Sequence, residues 1–182
     1  MLTKARIAGH PIHPMLIAFP VALYTSTAVA LIVFGGTHDP FWFRAAFWAN
    51  LAGIVMGAVA AIPGAIDLFT LPGHTMARRT GYIHAAFNVT ALVLFVISDV
   101  LIGHRLYAGA LASYGAPLAL SLCGVAATVG AGALGWTLVQ THHVGVNPTE
   151  QPVVDRPVDK VADLDAIFPP VPRSRESVQW RH

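Results

Sequence analysis

Four stretches of this 182-residue chain run for about the thickness of a bilayer without one Asp, Glu, Lys or Arg. They are Pro14 to Gly36, Ala45 to Ile66, Thr80 to Ser98, and a segment within Leu106 to Thr141. A hydrocarbon core of about 30 Å asks for about 20 apolar residues per helix, and in lipid only a helix or a closed barrel satisfies its own backbone. The pattern therefore predicts an all-α fold, a four-helix transmembrane bundle. The last segment is longer than one span needs, so its helix is expected to start near Ser113 to Pro117, where proline is tolerated in the first turn. Lys4 and Arg6 ahead of the first stretch, with Ala28-Val29-Ala30 inside it, imitate a secretory leader. The apolar run continues through Phe34, so the segment is read as a retained span.

Composition agrees, with 11% charged and 55% apolar residues. Charge gathers in the tail, where six of the nine acidic side chains lie beyond residue 149. Two domains are expected: residues 1–146 as the bundle, and 147–182 as an extended C-terminal tail on the cytoplasmic side, broken by Pro148, Pro152, Pro157, Pro169, Pro170 and Pro172. Leu164, Ile167 and Phe168 have helical spacing within it and offer a docking patch for the bundle or another subunit. Lys4, Arg6, Arg78 and Arg79 outnumber Arg44 and Arg105 in the opposite loops, which places both termini in the cytoplasm of a bacterium, in its inner membrane. A net charge of +2 without a basic cluster excludes nucleic acid as a partner. The lone Cys123 excludes an internal disulfide.

Small residues recur every four positions at Ala49, Gly53, Gly57 and Ala61, and again at Gly124, Thr128 and Gly132, as close helix packing in lipid requires. No sequence repeat argues for a duplicated half. The span centres are read as free of ionisable groups, which weighs against a transporter.

Polar side chains at the span ends carry the functional reading. His10 and His13 precede the first span, Asp67 ends the second, His84 and Asn88 share one face of the third, and His142 and His143 end the fourth. All four helices thus bring polar groups to one depth. The expected cofactor site is His13, His84 and Asn88, holding haem b, or a divalent transition metal drawn from His10, His13, Asp67, His84 and His143. Pro63-Gly64 is expected to interrupt the second helix, and Asp67 either to orient an imidazole, to act as a cap, or to pair with Arg78 or Arg79. On the far side stand His38, Asp39, Asp99 and His104. No nucleophile elbow, phosphate loop or paired carboxylate appears, so no independent catalytic activity is expected.

Gly9-His10-Pro11-Ile12-His13-Pro14, Phe19-Pro20, Pro63-Gly64-Ala65-Ile66-Asp67, His84 with Asn88, and His143-Val144-Gly145-Val146 together resemble the bacterial membrane family called domain of unknown function 2231, over about residues 5 to 147. The resemblance implies four transmembrane helices and no established reaction. Fusions of some members to Rieske-type iron-sulfur domains associate the family with electron transfer. Two functions follow as expectations. One is a haem- or metal-binding membrane subunit that serves electron transfer with a redox protein or a larger membrane complex as partner. The other is a non-catalytic anchor or assembly subunit, in which the small-residue ridges bind partner helices or a second copy.

Overall fold

The computed structural model describes residues 4–8, 10–109 and 113–146. A two-residue antiparallel ribbon, β1 (Arg6–Ile7) and β2 (His10–Pro11), leads into α1 (Ile12–Leu16) and α2 (Ala18–Thr37). Three long helices follow: α3 (Pro40–Thr70), α4 (Met76–Ala108) and α5 (Gly115–Gln140). The α1–α2 pair forms one span, and α3, α4 and α5 supply the other three. The C-terminal tail and its Leu164, Ile167 and Phe168 patch lie outside the described residues.

Helix starts follow from local chemistry. Asp39 caps α3 by accepting the Phe41 amide at 2.9 Å, with Pro40 in the first turn, and Thr75 caps α4 by accepting the Arg78 amide. Both helices outrun the stretches that their hydropathy marks. At about 1.5 Å per residue, the 31 residues of α3 and 33 of α4 exceed a hydrocarbon core, so their polar ends stay helical at the membrane surface. Pro63 does not interrupt α3, which continues to Thr70.

The bundle is apolar outside, and its interior mixes large apolar side chains with small and polar ones. Val129, Trp48 and Val100 face outward, while Thr27, Asn50, Ser98 and Ser121 are fully buried. Between lipid and protein no hydrophobic difference drives burial, so close packing and interior hydrogen bonds hold the helices together. Ser98 Oγ donates to the Pro117 carbonyl at 3.0 Å and meets Ser121 Oγ at 3.0 Å; Asn50 Nδ2 donates to the Phe95 carbonyl at 3.0 Å. An aromatic core of Phe34, Phe43 and the partly buried Tyr114 closes the end that carries the α2–α3 turn.

The interior contains a repeat that residue identity conceals. Positions 71 residues apart (13 to 84, 24 to 95, 53 to 124, 60 to 131) occupy equivalent places in the hairpins α1–α2–α3 and α4–α5. Tyr24 lies over Gly53 and Phe95 over Gly124. Thr27 and Ser98, Leu31 and Ile102, and Asn50 and Ser121 are matched pairs, all fully buried. Tyr24 and Phe95 stack on each other, centroids 3.8 Å apart and planes 5° from parallel. Equivalent residues that touch each other define a two-fold relation, so a rough two-fold axis runs along the bundle between the hairpins. The expectation of no duplicated half is corrected. In the 71-residue register His13, Gly53, Ala60 and Gly64 meet identical residues while the other interior pairs preserve burial and not identity, so the identities are too scattered to stand out along the chain.

Two further expectations change. The glycine ridges turn at their ends: Gly132 meets nothing within 4 Å, whereas Gly64 and Gly135 lie against histidine rings. The observed ridge, Gly53, Gly57, Ala60 and Gly64, alternates steps of four and three, the spacing that keeps one face turned toward a neighbouring helix. In addition, Asp99, expected in or beside the far-side loop, lies within α4 and is buried.

Candidate functional site

His13 enters the bundle from α1, where Pro11 stands extended ahead of the helix and Pro14 sits in its first turn. Its Nδ1 lies 2.8 Å from the carbonyl oxygen of Ala60 on α3. His84, one hairpin later, places its Nδ1 2.8 Å from the carbonyl oxygen of Ala131 on α5. Both bonds join residues 47 apart. A helical carbonyl already accepts one hydrogen bond, and a side chain reaches its second lone pair only where the helix surface is notched. Gly64 and Gly135, one turn beyond the two alanines, are those notches. A Cβ at Gly64 would stand 2.9 Å from His13 Nδ1, and one at Gly135 would stand 3.2 Å from His84 Cε1.

Carbonyl oxygens only accept, so each Nδ1 must carry the proton, and each Nε2 is left with its lone pair. The two rings are neighbours across the two-fold axis, with centroids 6.1 Å apart and planes perpendicular at 89°. Asn88 Nδ2 lies 3.0 Å from His84 Nε2 and donates to the His84 carbonyl at 2.9 Å. Its counterpart in the first hairpin is Ile17, and His13 Nε2 makes no hydrogen bond among the described residues.

The other expected site residues lie elsewhere. His10 is exposed, its Nδ1 bonded to the Ala8 carbonyl at 3.0 Å. Asp67 faces neither an imidazole nor an arginine: its Oδ1 accepts the Ala5 amide at 3.0 Å and ties down the N-terminal ribbon. Arg78 instead donates to the Leu71 carbonyl and to the Tyr82 hydroxyl. His142 Nε2 lies 3.5 Å from Thr80 Oγ1, and His143 is exposed with a left-handed backbone, φ 51°. Among the described residues no three His, Cys, Asp or Glu side chains come together as a metal cage. The structure therefore brings together His13, His84 and Asn88, while His10 and Asp67 bond backbone groups elsewhere and no metal cage among the described residues includes His143.

Residue reading missed Ala60, Ala131 and Gly135, and gave Gly64 a helix-breaking part only. The signal was present as an alanine followed by glycine at the fourth position, 47 residues after each histidine. Such a pattern gains meaning only once the hairpins are seen to superimpose.

A family model described as predicted membrane protein (DUF2231) matches residues 9–148. No curated protein and no solved structure matches the chain.

Proposed function

The chain belongs to the DUF2231 family of predicted membrane proteins, and on that premise we propose that it is a membrane subunit holding a transition-metal centre, haem b by preference, between His13 and His84 for electron transfer. The carrying observation is the pair itself. Two imidazoles on opposite sides of one ion, each at a bond of about 2 Å, would have ring centres about 6 Å apart, and the two rings stand at 6.1 Å. Their Nδ1 protons are taken up by backbone carbonyls, the arrangement that fixes the tautomer of a metal-bound histidine and turns Nε2 toward the ligand.

Haem is favoured over a bare divalent ion by donor count. Zinc asks for four ligands, or three and a water, whereas haem iron takes at most two axial donors from the protein. The described residues offer two imidazoles and no third donor grouped with them. Were both imidazoles to hold the iron, no position would be left open for oxygen, a character that suits electron transfer. A ligand on His84 Nε2 takes the place of the Asn88 amide. Arg78 and Arg79 lie at the same end of α4 as His84, and the positive-inside bias supports reading that end as the cytoplasmic one.

The test is the absorption spectrum and metal content of the full-length protein purified in detergent from membranes supplied with haem. A Soret band that shifts on reduction is expected. A colourless protein without stoichiometric metal would remove the proposal and leave a scaffold.

A further inference from the structure

Asp99 sits about 22 Å along α4 from His84, in the opposite half of the bundle. It is 8% exposed within a membrane-spanning helix. Its Oδ1 is buried with no hydrogen-bond donor, and so is Oδ1 of the fully buried Asn50 on α3. The Asn50 amide nitrogen donates to the carbonyl of Phe95, one helical turn before Asp99 on α4. No ion pair reaches Asp99 among the described residues; Arg105, further along α4, makes none with it.

An ionised carboxylate is acceptor-only, and inside a bilayer it is costly unless a cation compensates it. Here two buried oxygens face a shortage of one donor. One hydrogen on Asp99 supplies it. A neutral carboxyl would donate its O–H to Asn50 Oδ1 while the second Asn50 Nδ2–H donates back to the other carboxyl oxygen, a reciprocal acid–amide pair. No further partner is needed. The two-fold relation sharpens the point: the equivalents of Asn50 and Asp99 are Ser121 and Ala28. Ser121 is already satisfied by Ser98, and the buried Ala28 shows that the fold needs no carboxyl at this depth.

We propose that Asp99 and Asn50 form an intramembrane proton-binding site in which Asp99 carries the proton at neutral pH. Nothing in it depends on the histidine pair, so the two stand or fall separately.

Infrared difference spectra of the full-length protein in proteoliposomes at neutral pH test it. A carbonyl band of a protonated carboxyl is expected in the wild type. It should move to lower frequency in D2O, vanish in Asp99→Asn, and rise in frequency in Asn50→Leu, where the amide bond to it is lost. Asp99→Ala, which copies the residue at position 28, serves if the asparagine variant does not fold. Wild-type protein carrying 13C in its aspartate carboxyls should shift the same band without any substitution. Loss of carboxylate bands alone in the Asp99 variants would overturn the proposal.

Discussion

His13 and His84 stand 6.1 Å apart with perpendicular rings, and each hangs by Nδ1 from a backbone carbonyl 47 residues further along the chain. The chain makes the same attachment twice, and the two products meet at the axis between the hairpins. If the pair holds a metal centre, both imidazoles must be needed equally. His13→Ala and His84→Ala should each abolish a six-coordinate haem spectrum, while His10→Ala, whose ring bonds only the nearby Ala8 carbonyl, should leave it unchanged. Asn88→Leu should keep the haem, since Asn88 touches the ring and is not a ligand. Absorption spectra of the four variants decide it.

The notches should be intolerant of any side chain. Gly64→Ala drives a methyl to 2.9 Å from His13 Nδ1 and should destabilise by about 1–3 kcal/mol, more than Gly135→Ala, where the nearest ring atom is 3.2 Å away and can yield. Gly132→Ala and Gly36→Ala meet nothing within 4 Å and should be neutral or gain up to about 1 kcal/mol of helix propensity. Melting temperatures in one detergent give the order. A ranking that puts Gly132→Ala below Gly64→Ala would contradict the packing described above.

Tyr24 and Phe95 are equivalents that differ by one hydroxyl, and their neighbours differ to match. Tyr24 Oη is buried without a hydrogen-bond partner, 2.7 Å from where a Cβ at Gly57 would lie. The equivalent of Gly57 is Thr128. Gly57→Thr alone should therefore destabilise by about 1–3 kcal/mol through overpacking. Combined with Tyr24→Phe it should be largely rescued, because the next ring atom is 3.7 Å away. Additive single effects in this cycle would show that the hydroxyl does not set the choice at position 57.

Asp67→Ala should release the N-terminal ribbon. The carboxylate holds the Ala5 amide, and the Ile12 amide in turn holds the Ala5 carbonyl at 3.0 Å, so the ribbon is clamped at both sides of one residue. A loss of about 1–2 kcal/mol is expected for the hydrogen bond to a charged group. Faster amide exchange and proteolysis around residues 5–8, with the helices still protected, would be its signature.

Four apolar runs, the polar groups at their shared depth and the proline-bracketed His13 were legible from residue types alone. Hydropathy depends on each side chain's own affinity for lipid, and a helix is the simplest way to carry such a run across a bilayer. Asn88 beside His84 was legible too, since four positions on a helix make neighbours. What the sequence could not show was convergence between distant residues. Asp67 was available to an imidazole, an arginine or a backbone amide, and only the return of the N-terminal ribbon over α3 chose the Ala5 amide. Gly64 read only as a helix breaker, and Gly135 carried no reading at all, until two rings were found lying on them. The duplication escaped notice because lipid-facing positions need only be apolar and interior ones only fit their neighbours, so identity drifts while shape is kept. Individual side chains decided that the chain enters the membrane and how often. Which of them meet, and so where chemistry can occur, was decided by packing two similar hairpins face to face.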